Sequence, residues 1–275
     1  MTDDKPAPPG VDATRPSVAR VYDFFLGGKD NFAIDREVGK MALKITPDGP
    51  AAGQANRAFL RRVVRYLVVE AGIRQFIDVG SGLPTQGNVH EIAGAYAPDA
   101  RVIYVDNDPM VLAHGRALLD NATTATVIQA DVKQPQSILE HPEVTSRIDF
   151  SQPVGMLLFA ILHHLSDDED PAGVAAALCA PLAPGSYLAI SHFRDPGPAH
   201  PEASAKARQV EKLFNETLGT GRWRTHEELL TYFAGTELLE PGIVPLPEWR
   251  PDPDAAPAAQ TDTYHTFVGG LARKN

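Results

Sequence analysis

Cysteine is almost absent. Cys179 is the one thiol in 275 residues, so an intrachain disulfide is impossible and a cysteine-rich zinc site is excluded. Nothing therefore calls for an oxidising compartment. Long apolar runs are missing as well: the longest, Val154 to Leu162, is about half of what a bilayer span requires. Clustered basic residues are equally lacking. With 25 Lys and Arg against 35 Asp and Glu, the formal charge is −10 and the pI lies near 5.3. That balance argues against a nucleic-acid partner gripped through its phosphates. The opening MTDDKPAPPG is acidic and proline-rich without an apolar core, so no secretory signal is read there. What is present is ordinary globular composition, 43% hydrophobic and 22% charged. It predicts a soluble, cytoplasmic protein of one or two domains, with no membrane partner and an oligomeric state that the sequence does not reveal.

The pattern along the chain divides it. Residues 1–14 read as a disordered tail, too polar to bury anything. Ser17 is then a candidate N-cap for a helix in which Val18, Val21, Tyr22, Phe25 and Leu26 fall on one face. Gly27-Gly28 ends it. A second helical face carries Ile34, Val38, Met41 and Ile45, and the turn Thr46-Pro-Asp-Gly-Pro50 breaks it. A third carries Phe59, Leu60, Val63, Val64, Leu67 and Val68 up to Gly72. Together, residues 15–72 predict a helical N-terminal cap on a main domain covering 73–275.

From residue 75 the period changes. Gln75–Val79, Val102–Val105, Thr126–Ala130, Val154–Ala160 and Tyr187–Ser191 are short apolar runs of the kind that forms strands buried on both faces. Helical segments lie between them at roughly 86–96, 109–120, 134–141 and 171–182. This alternation predicts an α/β fold, a doubly wound, Rossmann-like parallel sheet. A helix at 202–218, a capping box at Thr225-His-Glu-Glu228 and two extended segments near 236–246 and 264–273 complete the chain. The last two predict a closing strand pair.

The chemistry concentrates at the strand ends. Phe76-Ile-Asp-Val-Gly-Ser-Gly-Leu83 runs a buried strand into Gly80-x-Gly82 ahead of a helix, a turn that lets a ligand approach the backbone. Asp106 ends the next strand, where a carboxylate can accept both hydroxyls of a ribose. Asn107 lies beside it, and Asp108 before Pro109 is the better N-cap. Asp131-Val132 ends the third strand, where the acid can face an adenine amino group or simply cap the strand end. The NAD fingerprint wants a glycine where Thr85 stands. Asp78, two residues before the turn, suits a cationic ligand better than a pyrophosphate. D-x-G-x-G therefore favours S-adenosylmethionine. An NAD-linked oxidoreductase and a cofactor-binding module without turnover remain the alternatives.

Several segments also carry a family resemblance: Ala19-Arg-Val-Tyr-Asp-Phe-Phe-Leu-Gly-Gly-Lys-Asp-Asn-Phe32, Val79-Gly-Ser-Gly-Leu-Pro-Thr85, Asn88-Val-His-Glu91, Val102-Ile-Tyr-Val-Asp-Asn-Asp-Pro109 and Trp249-Arg-Pro-Asp252. Over nearly the whole chain they resemble an actinobacterial S-adenosylmethionine-dependent methyltransferase family, long filed as a domain of unknown function. The resemblance implies a class I methyltransferase fold with an added helical cap, and S-adenosyl-L-methionine as cofactor. It implies no particular acceptor; a small molecule, methylated on oxygen or nitrogen, is the expectation.

The cofactor set expected from these readings is Arg20, Tyr22, Gly28, Asp78, Gly80, Ser81, Gly82, Asp106, Asn107, Asp131, Val132, Phe159 and Ala160. Within it, Tyr22 is expected to pack near the cofactor, with Arg20 or Lys29 facing the methionine carboxylate. His163 and His164, after the fourth strand, are the candidate catalytic bases, since histidine titrates near neutrality. As adjacent residues whose side chains diverge they make poor metal ligands, and no metal is expected. His192 is read as either a rim residue or a structural histidine, Asp167–Asp170 as a solvated helix start, and Cys179 as a small buried hydrophobe.

Overall fold

The computed structural model describes residues 7–84 and 87–275. Its sheet begins where the hydrophobic period changes. Strands β1 (Gln75–Val79), β2 (Arg101–Asp106), β3 (Ala125–Gln129), β4 (Gly155–Phe159) and β5 (Tyr187–Phe193) are parallel and ordered β3-β2-β1-β4-β5. The chain then adds β6 (Thr236–Leu238), β7 (Val244–Pro245) and β8 (Phe267–Lys274). β8 lies antiparallel against β5, with Ile190 opposite Gly270, and both β6 and β7 pair antiparallel with β8. This is the doubly wound sheet with an antiparallel C-terminal strand. Strand order reverses between β1 and β4, the place where such sheets open a ligand crevice.

Successive strand residues point to opposite faces, and two cores follow from that alternation. Ile77, Val79, Ile103, Val105, Met156, Leu158, Leu188 and Ile190 pack on one side beneath α6 (Pro135–Leu139), α7 (Pro142–Arg147), α8 (Pro171–Cys179) and α10 (His226–Thr231). Phe76, Val102, Tyr104, Leu157, Phe159, Tyr187 and Ala189 pack on the other. That face is covered by α3 (Gly49–Val69), α4 (Val89–Tyr96) and α5 (Pro109–Leu119). The row Gly53, Asn56, Phe59, Leu60, Val63, Val64, Leu67 and Val68 is the buried side of α3, so this helix belongs to the sheet's core. Two expectations change in detail. The helix read across 134–141 is a short one, α6 over Pro135–Leu139, and a second helix that was not expected, α7, follows from Pro142 behind an N-cap at His141. The segment near 264 starts as a helical turn, α11 (Asp262–Thr266), before β8.

α1 (Val18–Phe25) and α2 (Ala33–Ile45) form the cap, joined through α2 to α9 (Pro201–Thr217) by the apolar cluster of Ala42, Val210, Leu213 and Phe214. One buried carboxylate organises the cap's N-terminal side. Asp35, with no exposed surface, accepts from Ser17 N (2.9 Å), Phe32 N (2.8 Å) and Arg20 Nε (2.8 Å). The Arg20 guanidinium also donates to the carbonyls of Asp12 and Arg15, lies over the Phe32 ring, and reaches Asp108 at 3.9 Å. Ser17 stands at the N-cap position of α1, yet its hydroxyl donates to Asp108 rather than to its own helix. Asp108 in turn caps α5 by accepting from Met110 N at 2.8 Å, as expected. Of the supposed tail, residues 1–6 lie outside the described residues. Residues 7–14 are laid against the protein instead of left free, with Val11 and Ala13 on Phe32, Leu83, Met110 and Val111.

Replacing Asp35 by Ala leaves the Arg20 guanidinium buried without its carboxylate. Urea denaturation is expected to show a loss of about 3–5 kcal/mol. Asp30→Ala, which removes only a partly exposed partner of His114, is expected to change stability by no more than about 1 kcal/mol.

Candidate active site

A cavity of about 720 Å³ opens over the carboxyl ends of the parallel strands, beneath the cap. Its first half is built by β1–β4. The β1–α4 turn places Gly80 (φ +72°) and Gly82 (φ +68°) in left-handed backbone, a conformation glycine adopts without a Cβ penalty. Gly80 N and Ser81 N donate to Val105 O, at 2.8 and 3.2 Å. Gly82 N donates to Asp106 Oδ2 at 2.9 Å, while Asp106 Oδ1 accepts from Asp108 N at 3.0 Å. Asp106 thus fixes the glycine turn in addition to edging the cavity. Thr85, whose side chain weighed against the NAD fingerprint, lies outside the described residues.

Asp78 is the electrostatic centre of this half. It sits on the α3 side of β1, 5% exposed, and no hydrogen-bond donor reaches it among the described residues. Burial pushes its pKa up to about 7; the positive charge of Arg57 on α3 pulls the other way and the Asp106 carboxylate adds to the rise. Burial likewise raises Asp106 to about 6, against the backbone N–H groups of Asp108 and Gly82. Two neighbouring buried carboxylates therefore each resist ionisation. Arg57, whose Nη2 donates to Gly87 O at 2.9 Å, lines the same wall. Arg57 escaped the sequence reading because it lies on a helix identified by its apolar row, and no spacing links it to Asp78.

Ser81, Asn107, Asp131, Val132, Phe159 and Ala160 all line the cavity, as do Arg20 and Tyr22. Ala160 holds positive φ (+54°) at the end of β4, with its N–H donating to Ser191 Oγ at 2.9 Å. The exceptions are in the cap elbow. Neither Gly28 nor Lys29 is among the lining residues. Gly28 N donates to Asp23 O at 2.8 Å, and a Cβ there would collide with the Asp23 carboxylate, which also accepts from Asp30 N and Asn31 Nδ2. The glycine closes the elbow onto Asp23, and Lys29 is exposed. Arg20 lines the cavity but is held by Asp35, which weighs against a primary role on a ligand carboxylate. Tyr22 donates to Gly53 O at 3.3 Å and accepts from Asn56 Nδ2 at 3.1 Å. The buried Asn56 Oδ1 has no hydrogen-bond partner among the described residues.

The second half is apolar and aromatic, formed by α2, α9, the end of β5 and the segment 218–223. His163 and His164 border it, and they differ. His163 Nδ1 accepts from Phe193 N at 3.3 Å, so the neutral ring carries its proton on Nε2 and offers no lone pair. Burial holds its pKa well below the ordinary range. His164 Nδ1 faces Thr220 O at 2.8 Å. A carbonyl can only accept, so Nδ1 is protonated and Nε2 is left as a lone pair. Burial lowers this ring's pKa to about 4. His192 is structural: it is buried, absent from the cavity lining, and bonded through Nδ1 to Phe193 O at 2.6 Å.

Fold and site together are those of a class I S-adenosylmethionine-dependent methyltransferase: a glycine turn at the carboxyl end of β1 in a sheet closed by an antiparallel strand. The comparisons carry this to a family. A family model described as S-adenosyl methyltransferase matches residues 4–275, and the chain belongs to that family. Among solved structures it is similar to a candidate methyltransferase from Thermobifida fusca, at 45% identity over 97% of this chain and 98% of that one, TM-score 0.90. It is also similar to a DUF574 family protein from Streptomyces avermitilis, at 39% identity over 96% and 99%, TM-score 0.89. An O-methyltransferase family 2 protein from Planctomyces limnophilus shares the fold alone, at 16% identity over 93% and 65%, TM-score 0.51. No curated protein matches the chain. The family sets aside the NAD-linked reading. Among the described residues, no helix is long and apolar enough to cross a membrane.

Because Asp78 binds its proton far more tightly folded than unfolded, its burial costs stability that grows as pH rises from about 4 to about 7. Asp78→Asn is therefore expected to stabilise the ligand-free protein at pH 8 by roughly 2 kcal/mol or more. The gain should vanish at pH 3.5, where folded and unfolded carboxyls are both protonated. Thermal or urea unfolding at the two pH values measures it.

Proposed function

We propose that this methyltransferase acts on a small molecule, with the cofactor held by the β1–β4 half of the cavity and the acceptor by the aromatic half. The observation that carries the reading is the buried Asp78 at the mouth of the glycine turn, which no hydrogen-bond donor reaches among the described residues. A carboxylate in that position is relieved by a cation, and S-adenosylmethionine brings an ammonium and a sulfonium. The residues present fit it. Asp78 would take the ammonium and Arg57 the methionine carboxylate, a role expected earlier of Arg20 or Lys29. Asp106 with Asn107 would meet the ribose, Asp131 and Val132 the adenine, and Phe159 and Ala160 would border the sulfonium. Tyr22 and Asn56 would close the site from the cap side.

The bound cofactor supplies a methyl group that is already activated. The protein's part is alignment, exclusion of water and removal of a proton. Of the two histidines, His164 is the base. Its Nε2 lone pair is available across the physiological range because its pKa is low. A weak base suffices, since a hydroxyl or amine proton becomes strongly acidic only as the new bond to carbon forms. His163 positions the wall behind it. Neutral surroundings and an acidic surface suit a small uncharged acceptor better than a polyanion.

Titration calorimetry is expected to show one S-adenosylmethionine per chain and no uptake of NAD. Affinity should fall severalfold from pH 7.5 to 5.5, because Asp78 takes up a proton below about 7 and loses the charge that attracts the ammonium. Arg57→Ala and Asp106→Ala should each weaken binding by about tenfold, ~1.4 kcal/mol. Undiminished affinity in both would overturn the placement. His164→Ala should leave cofactor affinity unchanged and lower turnover on an identified acceptor about hundredfold.

A further inference from the structure

The acceptor half has a shape and a chemistry of its own. Three rings stand in a parallel column: His163 on Phe193 (3.6 Å between centroids, 12°) and Phe193 on Trp223 (4.2 Å, 11°). Phe214 tilts against Trp223 at 5.9 Å and Phe267 against Phe193 at 5.0 Å. Phe193, Trp223, Phe214 and Phe267 all line the cavity, as does Phe25 of the cap. The helices α2 and α9 contribute small lining residues, Ala42, Ala203 and Ala207, the last two about one turn apart, so room remains beside the rings.

Charge is nearly missing there. Among the described lining residues of α2, α9, the 218–223 segment, α11 and β8, the one charged side chain is Asp262, and Lys206 pairs with it. No Lys or Arg in those elements faces the cavity to receive a carboxylate, phosphate or sulfate. The single basic lone pair is His164 Nε2, beside the column; its ring centroid lies 4.5 Å from that of His163.

Resting on the methyltransferase reading above, we propose that the acceptor is a neutral, planar aromatic molecule carrying a phenol-type hydroxyl, its plane set among the rings of Trp223, Phe214 and Phe193 and its hydroxyl at His164 Nε2. Flat π-systems gain from offset or edge contacts with such rings beyond the burial of apolar area, which a saturated molecule of equal size does not. The transfer balances without a further reactant. The phenol oxygen forms its bond to the methyl carbon as the carbon–sulfur bond breaks, the bonding pair stays on sulfur, and the hydroxyl proton passes to His164 Nε2. The products are an aryl methyl ether, a neutral thioether and an imidazolium that sheds its proton to solvent.

The test uses the full chain saturated with S-adenosylhomocysteine, and three probes of similar size: 2-naphthol, the saturated decahydro-2-naphthol and 6-hydroxy-2-naphthoate. Calorimetry is expected to rank 2-naphthol about tenfold above each of the others, and methyl transfer from S-adenosylmethionine should follow the same order. Trp223→Ala should erase the preference for the aromatic probe, and Trp223→Phe, which keeps a ring, should retain most of it. Both variants should bind S-adenosylhomocysteine with unchanged affinity, which also shows that they fold. Equal binding of the saturated alcohol, tighter binding of the naphthoate, or no binding of any probe overturns the proposal. A chain that fails to bind S-adenosylhomocysteine at all overturns the methyltransferase placement instead, so the two failures are told apart.

Discussion

The position of the cap over the strand ends depends on a buried ion pair, Arg20 with Asp35. Asp35 gathers the N–H groups of Ser17 and Phe32 and the Arg20 guanidinium into one carboxylate. Arg20 and Ser17 then reach Asp108, which is also the N-cap of α5. Through this chain of charge-assisted bonds the start of the cap is fastened to the end of β2, two residues from Asp106. Without the fastening, the strand ends would face solvent as an open shelf. With it, they form the floor of a cavity covered by the cap, where buried charges interact more strongly than at the surface. Breaking such a pair is costly because the surviving charge has nowhere to go, so the cap's position is narrowly specified.

That enclosure explains the tension in the floor. Asp78 and Asp106 lie where sheet topology opens a crevice, and burial raises both. Two carboxylates that resist ionisation are a poor choice for stability and a sensible one for a cationic nucleoside, whose charge relieves both. The glycine turn is drawn into the same arrangement, because Gly82 N donates to Asp106. The side chain proposed above to meet the ribose also shapes the glycine loop. Ligand recognition and loop geometry are therefore coupled through one group, and a change at position 106 acts on both.

Much of this was legible in the sequence, for identifiable reasons. Strands buried on both faces announce themselves as apolar runs, and their carboxyl ends carry the chemistry, so Asp78, Gly80, Gly82, Asp106 and Asp131 could be placed from order alone. Asp108 was readable as a cap because Pro109 follows it. The elbow was misleading. Gly27-Gly28-Lys29 looks like a flexible hinge over a ligand, yet Gly28 is there so that the chain can close onto Asp23. The difference lies in a contact five residues back along the chain that no periodicity encodes. Arg57 and Asn56 stayed hidden for a related reason: they share a helix whose evident feature is its hydrophobic row, and their partners come from strands and helices far away in sequence. Arg20 was singled out for the ligand side and does line the cavity, but its commitment to Asp35 is a tertiary fact.

The acceptor half was the least legible, and its construction shows why it can vary while the rest holds. Its rings come from α1, β5, α9, β8 and the 218–223 segment, five places with no common spacing, and each looks like ordinary core in isolation. Phe193 and Phe267 sit at the paired ends of β5 and β8, so the sheet fixes them. Trp223 and Thr220, by contrast, stand on a loop tied down from behind, where Arg222 and Arg224 pair with Asp167, and Glu211 receives the N–H of Trp223. The acidic run at 167–170, which reads as a solvated helix start, is in part the anchor of that loop. In the proposed acceptor wall, the loop that carries Trp223 is thus held by the ion pairs of Arg222 and the buried Arg224 with Asp167, whereas Phe193 and Phe267 are held by the sheet. The exposed Arg222–Asp167 pair is individually weak, so substitutions at the surface of this loop cost the fold less than changes at the buried strand ends.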